Sequence, residues 1–387
     1  MKADKNLWIL VFVCIINSLG FGIIVPLLYS YGKKFGVTQE TLGILTATFS
    51  IAQFFATPVL GSLSDRFGRK PLLAISLAGT CLSFLMFAWA GSVWLLFAAR
   101  ILDGLTGGNV SVAQAMVSDT STSENRARKF GILSSAFGFG FVIGPAVGGL
   151  LNKYGEHVPF YFAAAIALIG TLCSIFLLKE THEKDGKSTA KRFHFAALIS
   201  TLKFPFIGTA IITGFFLTMA QFTMIIGFQA FSVDNLKLNP TQIGWFYAAF
   251  GLSGILMQLL VPVISKLIPS KAVVLCLSTL FCLAAMLVSG FAVGFIMFAV
   301  CLCIYGMFNG LRNPMLNAII ADNNTTNKQG EVMGVNQSYA SIGQTLGPIT
   351  AGFVAAVSVH SIFFLSAFYI LVAFLLSFKL KSNTQTK

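Results

Sequence analysis

The sequence predicts an all-α membrane protein, with twelve transmembrane helices arranged as two pseudo-symmetric six-helix halves. Three observations support this fold class: an apolar composition, a series of long apolar segments, and a set of small-residue motifs that recurs in the second half. Hydrophobic residues make up 56% of the 387 positions, and charged residues make up 10%. Because soluble domains carry about 25% charged residues, this composition indicates a chain that folds in lipid.

Each long apolar segment is long enough to cross a bilayer, which takes about 20 predominantly apolar residues in a helix. The predicted spans are 6–29, 41–63, 71–90, 92–117, 129–151, 159–178, 204–230, 241–265, 271–290, 293–318, 331–356 and 360–379. The longest polar break, 179–203, contains KETHEKDGKSTAKR. It divides the chain into an N-terminal half at 1–180, a cytosolic linker at 181–203 and a C-terminal half at 204–387.

The distribution of basic residues predicts the orientation. With both termini in the cytoplasm, the cytosolic segments hold most of the 26 Lys and Arg residues, and the outer loops hold four: Lys33, Lys34, Lys153 and Lys237. This is the positive-inside asymmetry of membrane proteins. The net charge of +13 therefore reflects topology and contact with anionic lipid, and no nucleic-acid partner is expected.

The two halves are related by a constant shift of 203 residues. This shift superposes several Asp, Gly and Pro positions: Asp119 on Asp322, Gly140 on Gly343, Gly144-Pro145 on Gly347-Pro348, and Gly149 on Gly352. Duplicated six-helix halves are typical of secondary transporters, which bind substrate near the membrane midplane where the repeats meet. The repeat therefore predicts a transporter.

The loop after the second span reads GSLSDRFGRK. Gly61 is expected to allow close helix packing and Gly68 a tight turn. Asp65 is placed to face a helix N-terminus, where a carboxylate is favoured, and the basic residues to pair with acids such as Asp119. We predict that this loop is a conformational hinge, and its key positions are Gly61, Asp65, Arg66, Gly68 and Arg69.

The fifth span carries GFGFVIGPAVGG at 138–149. Its glycines remove side chains so that helix backbones can approach, and Pro145 removes one backbone donor and kinks the helix. We predict a bendable helix with a copy in span 11; an alternative is that these glycines only pack. The positions concerned are Gly144, Pro145, Gly148 and Gly149.

These motifs resemble the major facilitator superfamily, particularly its twelve-helix drug/proton antiporters. The match includes the loop GSLSDRFGRK, the span 4 segment AARILDGLTGGNVSVAQAMVSDTS with Arg100, and the Gly-Pro motif of span 5. The first half is most similar to bacterial tetracycline exporters. The resemblance implies alternating access, proton-driven export and an inner-membrane location.

Two charged residues in span 4 are candidates for proton coupling. Asp103 is the acidic residue that lies well inside a predicted span, three positions after Arg100 and on the same helical face. Intramembrane charges are functional candidates by default. Asp103 either carries the proton or neutralises Arg100, and the sequence leaves both open.

The resemblance is incomplete at the usual carboxylates of related exporters. Asn17 and Ser83 stand where tetracycline exporters carry acids in spans 1 and 3, and Gln221 and Asn309 stand where other drug antiporters carry acids in spans 7 and 10. By resemblance, spans 1, 4, 7 and 10 line the substrate cavity. The candidate substrate-binding residues are Asn17, Asn109, Gln114, Gln221, Asn309, Arg312 and Asn313.

Each amide has an alternative interpretation as an interhelical hydrogen bond. Arg312 is expected to bind an anionic oxygen of the substrate, with a structural ion pair to Asp103 as the alternative. No paired carboxylates, Ser/His pair or metal cluster is visible at membrane depth, so neither an enzyme nor a metal or other cofactor is predicted. The sequence favours proton-coupled export of drug-like amphiphiles by a monomer, with export of a dedicated metabolite such as a siderophore, or nutrient uptake, as alternatives.

Overall fold

The computed structural model describes residues 5–121, 126–181, 205–323, 329–355 and 357–382. The described residues form helices joined by short turns, with no strand among them. The predicted linker, apart from Thr181, lies outside this part of the chain. The α-helices are α1 Lys5–Gly32, α2 Gln39–Phe67, α3 Arg69–Ala88, α4 Val93–Thr106, α5 Asn109–Asp119, α6 Arg126–Leu151, α7 Val158–Phe176, α8 Pro205–Ala230, α9 Pro240–Leu259, α10 Val261–Leu267, α11 Lys271–Ser289, α12 Phe295–Asp322, α13 Gln329–Ala355 and α14 Val359–Ser382.

Two predicted spans are interrupted, whereas each of the others coincides with one helix. The fourth span divides into α4 and α5 at Gly107 and Gly108, where the side-chain amide of Gln53 donates to the Gly107 carbonyl (3.1 Å). The eighth divides into α9 and α10, with Pro262 in the first turn of α10. Proline lacks an N–H and clashes with the preceding turn. The prediction of continuous helices at these two places is therefore wrong.

Eight helices among the described residues are long and apolar enough to cross a membrane. Large apolar side chains are exposed along these helices, for example Phe55 (63% exposed) and Phe176 (76%). In a protein that spans a bilayer, such side chains face lipid rather than water. The exposed aromatic residues thus agree with the predicted membrane location.

Chain contacts divide the molecule into two compact units. Unit 1 comprises Met1–Val37, Thr48–Arg192 and Leu238–Ala248, and unit 2 comprises Thr38–Ala47, Phe193–Lys237 and Ala249–Lys387. The beginning of α2 therefore groups with the second half of the sequence, and the beginning of α9 groups with the first half.

Each unit has its own apolar core. In unit 1, α1 packs along α6 and α3 packs along α7, around buried residues such as Leu10, Leu73 and Met116. In unit 2, α8 packs along α13 and α14, and α11 packs along α12, around residues such as Ile211 and Leu275. The α1–α6 pair of unit 1 has its equivalent in the α8–α13 pair of unit 2, which is the pattern that the 203-residue repeat predicts.

Candidate functional site

The loop between α2 and α3 is hydrogen-bonded to the carboxylate of Glu180, which lies at the end of the first half of the chain. Gly68 adopts φ +103° and ψ 152° immediately before α3. The backbone N–H groups of Arg69 and Lys70 donate to the two carboxylate oxygens of Glu180, at 3.0 and 3.1 Å. A carboxylate is favoured at a helix N-terminus. From the sequence we expected Asp65 in this position, and that expectation is wrong, because Glu180 occupies it.

Arg69 joins three helices in unit 1. Its guanidinium contacts Asp65 at the end of α2 (2.5 Å), Ser64 in the same helix (2.6 Å) and Asp119 at the end of α5 (3.2 Å). The Arg69 side chain is only 11% exposed. Since two carboxylates share one guanidinium, the relative positions of α2, α3 and α5 at this end depend on it. The predicted role of this loop as a hinge stays a prediction.

No described contact joins Gly61 or Arg66 directly to the Arg69 guanidinium, although the Gly61 carbonyl accepts a hydrogen bond from the Ser64 hydroxyl (2.7 Å). A Cβ placed on Gly61 would meet no described atom within 4 Å. The expectation that Gly61 allows close helix packing is therefore wrong in this conformation. Arg66 is exposed, and its guanidinium lies over the neighbouring Phe67 ring at 5.2 Å.

The second unit repeats the central ion pair of this loop. Lys271, at the start of α11, forms an ion pair with Asp322, at the end of α12. Asp322 is the residue that the 203-residue shift matches to Asp119. The pair was missed in the sequence because the surrounding loop, VISKLIPSKA, retains little of the first motif.

The glycines of α6 bring its backbone against α1. A Cβ on Gly140 would lie 2.9 Å from the Ile15 carbonyl oxygen, and one on Gly144 would lie 2.7 Å from the Leu19 carbonyl oxygen. At Gly148 the distance to the α1 backbone widens to 3.3 Å. Positions closer than about 3 Å cannot accept a side chain unless the helices separate. Gly140 and Gly144 therefore fix how closely α1 and α6 approach.

The C-terminal part of α6 also contacts the beginning of α9, within unit 1. Thr241 donates its hydroxyl to the Gly149 carbonyl (2.7 Å), and a Cβ on Gly244 would collide with the Pro145 carbonyl oxygen. Pro145 lies inside α6, where it removes one donor from the helix ladder. Gly149 thus serves the contact with α9. Pro145 contacts both helices, since a Cβ on Gly22 of α1 would lie 3.0 Å from the Pro145 Cδ atom.

Helix α13 reproduces both contacts in unit 2. Cβ atoms on Gly343 and Gly347 would lie 2.9 and 2.6 Å from carbonyl oxygens of α8. At the other end of the motif, a Cβ on Gly43 of α2 would collide with the Pro348 carbonyl oxygen. Equivalent positions of the sequence repeat therefore make equivalent contacts. Whether these helices bend during transport stays a prediction.

The charged pair in α4 lies within unit 1. The Arg100 guanidinium is 4.0 Å from the Asp103 carboxylate and lies over the Phe49 ring at 4.4 Å. Arg100 is 2% exposed, and its Nε and Nη1 atoms have no hydrogen-bond partner among the described residues. The distance to Asp103 is that of a loose ion pair rather than a charge-assisted hydrogen bond.

The predicted amides form one direct contact. Asn109 of α5 donates its side-chain amide to Asn17 of α1 (2.8 Å), and Asn109 is 1% exposed. The interhelical role considered for these residues is thus present for this pair. Gln114 and Asn313 are exposed and Gln221 is half-buried. No described contact joins these three to another predicted site residue.

Arg312 of α12 contacts two residues of its own helix. Its Nη2 atom donates to the side-chain oxygen of Asn309 and lies 3.5 Å from the Tyr305 hydroxyl. The Tyr305 ring centroid is 5.4 Å from the guanidinium carbon. The sequence analysis did not identify Tyr305, although its position seven residues before Arg312 places it two turns away on the same face.

Within the described residues, no group of three His, Cys, Asp or Glu side chains is arranged to hold a metal ion. The seven cysteines are free thiols.

Comparison with known proteins gives a consistent result. A sequence model of the Major Facilitator Superfamily matches residues 10–231 and 210–387. Multidrug resistance protein 2 of Bacillus subtilis is 30% identical over 96% of this chain and 95% of its own length. The class C tetracycline resistance protein of Escherichia coli is 29% identical over 92% of each chain. A solved nucleoside transporter superposes with a TM-score of 0.79 at 15% identity, covering 98% of this chain and 99% of its own. The chain is therefore a transporter of the cell membrane and belongs to the major facilitator superfamily.

Proposed function

We propose that this protein exports drug-like or amphiphilic small molecules in exchange for protons, by alternating access. It acts as a monomer in the inner membrane, in contact with lipid, with both termini in the cytoplasm. The identity of 30% with a multidrug resistance protein, sustained over 96% of the chain, supports the assignment of a drug-like substrate. The asymmetry of basic residues supports the orientation.

The observation that carries the mechanism is the duplicated packing of α6 and α13. In unit 1, the first glycines of α6 contact the backbone of α1, and the Pro145 carbonyl contacts α9. In unit 2, the first glycines of α13 contact the backbone of α8, and the Pro348 carbonyl contacts α2. A backbone contact without side chains can slide or separate without breaking an interdigitated core, and an internal proline eases bending. Both properties suit helices that move when a transporter alternates between its two open states.

Asp103 is the residue that exchanges the proton. Its carboxylate lies within a span, 13% exposed and 4.0 Å from Arg100. Because no direct hydrogen bond joins Asp103 to Arg100, the Asp103 carboxyl group can gain and lose a proton without breaking a hydrogen bond to Arg100. The Arg100 guanidinium, 4.0 Å away, supplies a counter-charge for the carboxylate after the proton has left.

The substrate is held by polar side chains of the first, fourth, seventh and tenth spans. The residues that we assign to this role are Asn17, Asn109, Gln114, Gln221, Asn309, Arg312 and Asn313. An apolar site with a few polar groups suits bulky amphiphiles. The six amide side chains of this set are neutral, which leaves Arg312 as the fixed charge among these residues.

The experiment is transport into inside-out vesicles, with ethidium and tetracycline as fluorescent probes. A vesicle interior made acidic by an imposed gradient should drive accumulation of at least one probe, and collapse of the gradient should release it. Asp103→Asn should abolish this accumulation. Glu156→Gln, which removes an exposed carboxylate paired with Lys34, is the matched control and should retain it.

Two outcomes would contradict the proposal. Accumulation that requires the opposite gradient would indicate uptake rather than export. Accumulation by Asp103→Asn at the normal rate and with normal gradient dependence would remove Asp103 from proton coupling.

A further inference from the structure

Arg312 is a buried cation whose described partners are neutral. The residue is 1% exposed, and its Nη2 atom contacts the Asn309 side-chain oxygen and the Tyr305 hydroxyl. Its Nε and Nη1 atoms have no hydrogen-bond partner among the described residues. Arginine remains charged in proteins and has five N–H donors. The side chain therefore retains both an uncompensated charge and unused donors.

The described acidic residues of unit 2 do not compensate this charge. Asp322 pairs with Lys271 and lies ten residues further along α12, which is about 15 Å in a helix. Asp234 accepts a hydrogen bond from Gln39 (2.9 Å). No ion pair of Arg312 occurs among the described side chains.

The buried arginine of unit 1 provides an internal comparison. Arg100 is as deeply buried as Arg312, but it has Asp103 at 4.0 Å and the Phe49 ring at 4.4 Å. Under the 203-residue shift, Arg312 corresponds to Asn109, which makes an amide pair with Asn17. The second unit thus places a permanent cation where the first places an amide, and it does so without adding a described carboxylate.

The surroundings of Arg312 hold the guanidinium in place on one side. The Phe250 ring of α9 stacks on the Tyr305 ring (6.2 Å between centroids, 17° between planes). The Cys282 thiol of α11 is 3.7 Å from the Tyr305 carbonyl oxygen. Tyr305 is therefore fixed by α9 and α11, and through its hydroxyl and ring it positions Arg312. A fixed cation with free donors is suited to binding an oxyanion.

We propose that Arg312 binds the acidic group of the substrate, and that the preferred substrates are amphiphilic organic acids with a carboxylate next to an apolar, aromatic body. This inference rests on the proposed substrate-transporting function and narrows its substrate class. Tyr305 and Asn309 orient the guanidinium, and its Nε and Nη1 donors bind the carboxylate oxygens. Because Arg312 is buried in this conformation, binding requires α12 or its neighbours to move, which couples the anion to the conformational change.

The test measures binding of matched acids and esters to the full-length protein in lipid nanodiscs. The probes are 1-pyrenebutyrate and 1-naphthylacetate, each compared with its own methyl ester, which retains the apolar body and removes the charge. Titration follows the fluorescence of the probe and needs no proton gradient. The wild type should bind at least one acid about tenfold more tightly than its ester, as expected when one charged contact is lost.

The variants distinguish a binding role from a structural one. Arg312→Gln should remove the preference for the acid and leave the affinity for the ester within about twofold. Arg312→Lys should retain part of the preference, since a lysine keeps the charge but loses the planar fork. Lys266→Gln removes one exposed cation from the same unit and should leave both affinities unchanged.

Equal affinity of the wild type for acid and ester, including no binding of either, would overturn the assignment without any variant. A normal acid preference in Arg312→Gln would also overturn it, and a lowered unfolding temperature in that variant would then assign Arg312 a structural role. The binding assay is independent of transport. An Arg312-dependent acid preference in a protein whose inside-out vesicles accumulate probe only under the opposite proton gradient would therefore support this inference while refuting export.

Discussion

Replacement of Gly68 with alanine is expected to release Glu180 from the N-terminus of α3. The conformation at Gly68, φ +103° and ψ 152°, is one that only glycine adopts readily, and other residues pay about 1–3 kcal/mol there. A Cβ would also lie 2.5 Å from the Glu180 Oε2 atom and 3.5 Å from the Pro71 Cδ atom. Glu180 can move, but only by lengthening its hydrogen bonds to the Arg69 and Lys70 N–H groups.

The magnitude follows from these two effects. Hydrogen bonds to a charged group contribute about 1.5–3 kcal/mol each when buried, but Glu180 is exposed, and exposed charge interactions amount to roughly 1 kcal/mol or less. Adding that to the backbone term gives a destabilisation of about 2–4 kcal/mol for Gly68→Ala. Most of this free energy is backbone strain, so Glu180→Gln should cost less than Gly68→Ala.

The assay is thermal unfolding of the purified protein, together with probe export in inside-out vesicles. Gly61→Ala is the matched control in the same motif, because Gly61 lies in α2 and a Cβ there meets no described atom within 4 Å. In a helix, alanine is favoured over glycine by roughly 0.5–1 kcal/mol, so Gly61→Ala should unfold at the wild-type temperature or above. If Gly68→Ala and Gly61→Ala unfold at the same temperature, the reasoning from the Gly68 backbone is refuted.

Three further predictions concern other contacts. Asp65→Asn should slow probe export at normal expression, since it leaves Arg69 only one of its two carboxylates; an unchanged export rate would contradict a hinge role for the loop. Asp103→Asn should lower the unfolding temperature only slightly, because Arg100 keeps its contact with an aromatic ring. Adding Arg100→Gln to this variant should not restore export. Restored export in the double variant would show that Asp103 only neutralises Arg100. Gly140→Ala should destabilise the protein by about 1–3 kcal/mol through overpacking. Gly148→Ala should lower the unfolding temperature less in the same assay, because the gap to α1 is wider there. An equal loss in both variants would mean that the contact with α1 does not determine which side chains fit on α6.

The helices of this fold could be predicted because the bilayer sets their length. Apolar segments of the required length appear in the sequence without any tertiary information. The break between α4 and α5 could not be predicted in the same way, because glycines are common within membrane helices. At the break, the Gln53 side chain of α2 donates a hydrogen bond to the Gly107 carbonyl, and a contact between distant residues has no local signal.

The loop motif shows the same division between local and distant information. The pairing of a basic residue with Asp119 was predictable, since both ends of the contact stand out as charges beside apolar spans. Glu180 was not, because it lies 111 residues after Arg69 in the sequence and belongs to a polar segment rich in other charges. Gly61 was assigned to close packing from its residue type alone, and residue type does not show whether another helix is nearby.

The packing of α6 and α13 explains why the sequence reveals only half of each repeated contact. A Cβ placed on Gly140 would lie 2.9 Å from the Ile15 carbonyl oxygen, and a Cβ placed on Gly343 would lie 2.9 Å from the Phe215 carbonyl oxygen. The glycines are 203 residues apart, but the residues that they contact are 200 apart, so no single shift superposes both sides. The contacted groups are backbone carbonyls, which every residue has, and the side chains of Ile15 and Phe215 differ in size and shape. A glycine can be recognised in a sequence because it lacks a side chain. The carbonyl that fills the space beside it cannot be recognised, because every residue has one. Two units can therefore keep the same contact while the sequence of one partner changes, provided that the chain between the partners keeps each carbonyl opposite its glycine.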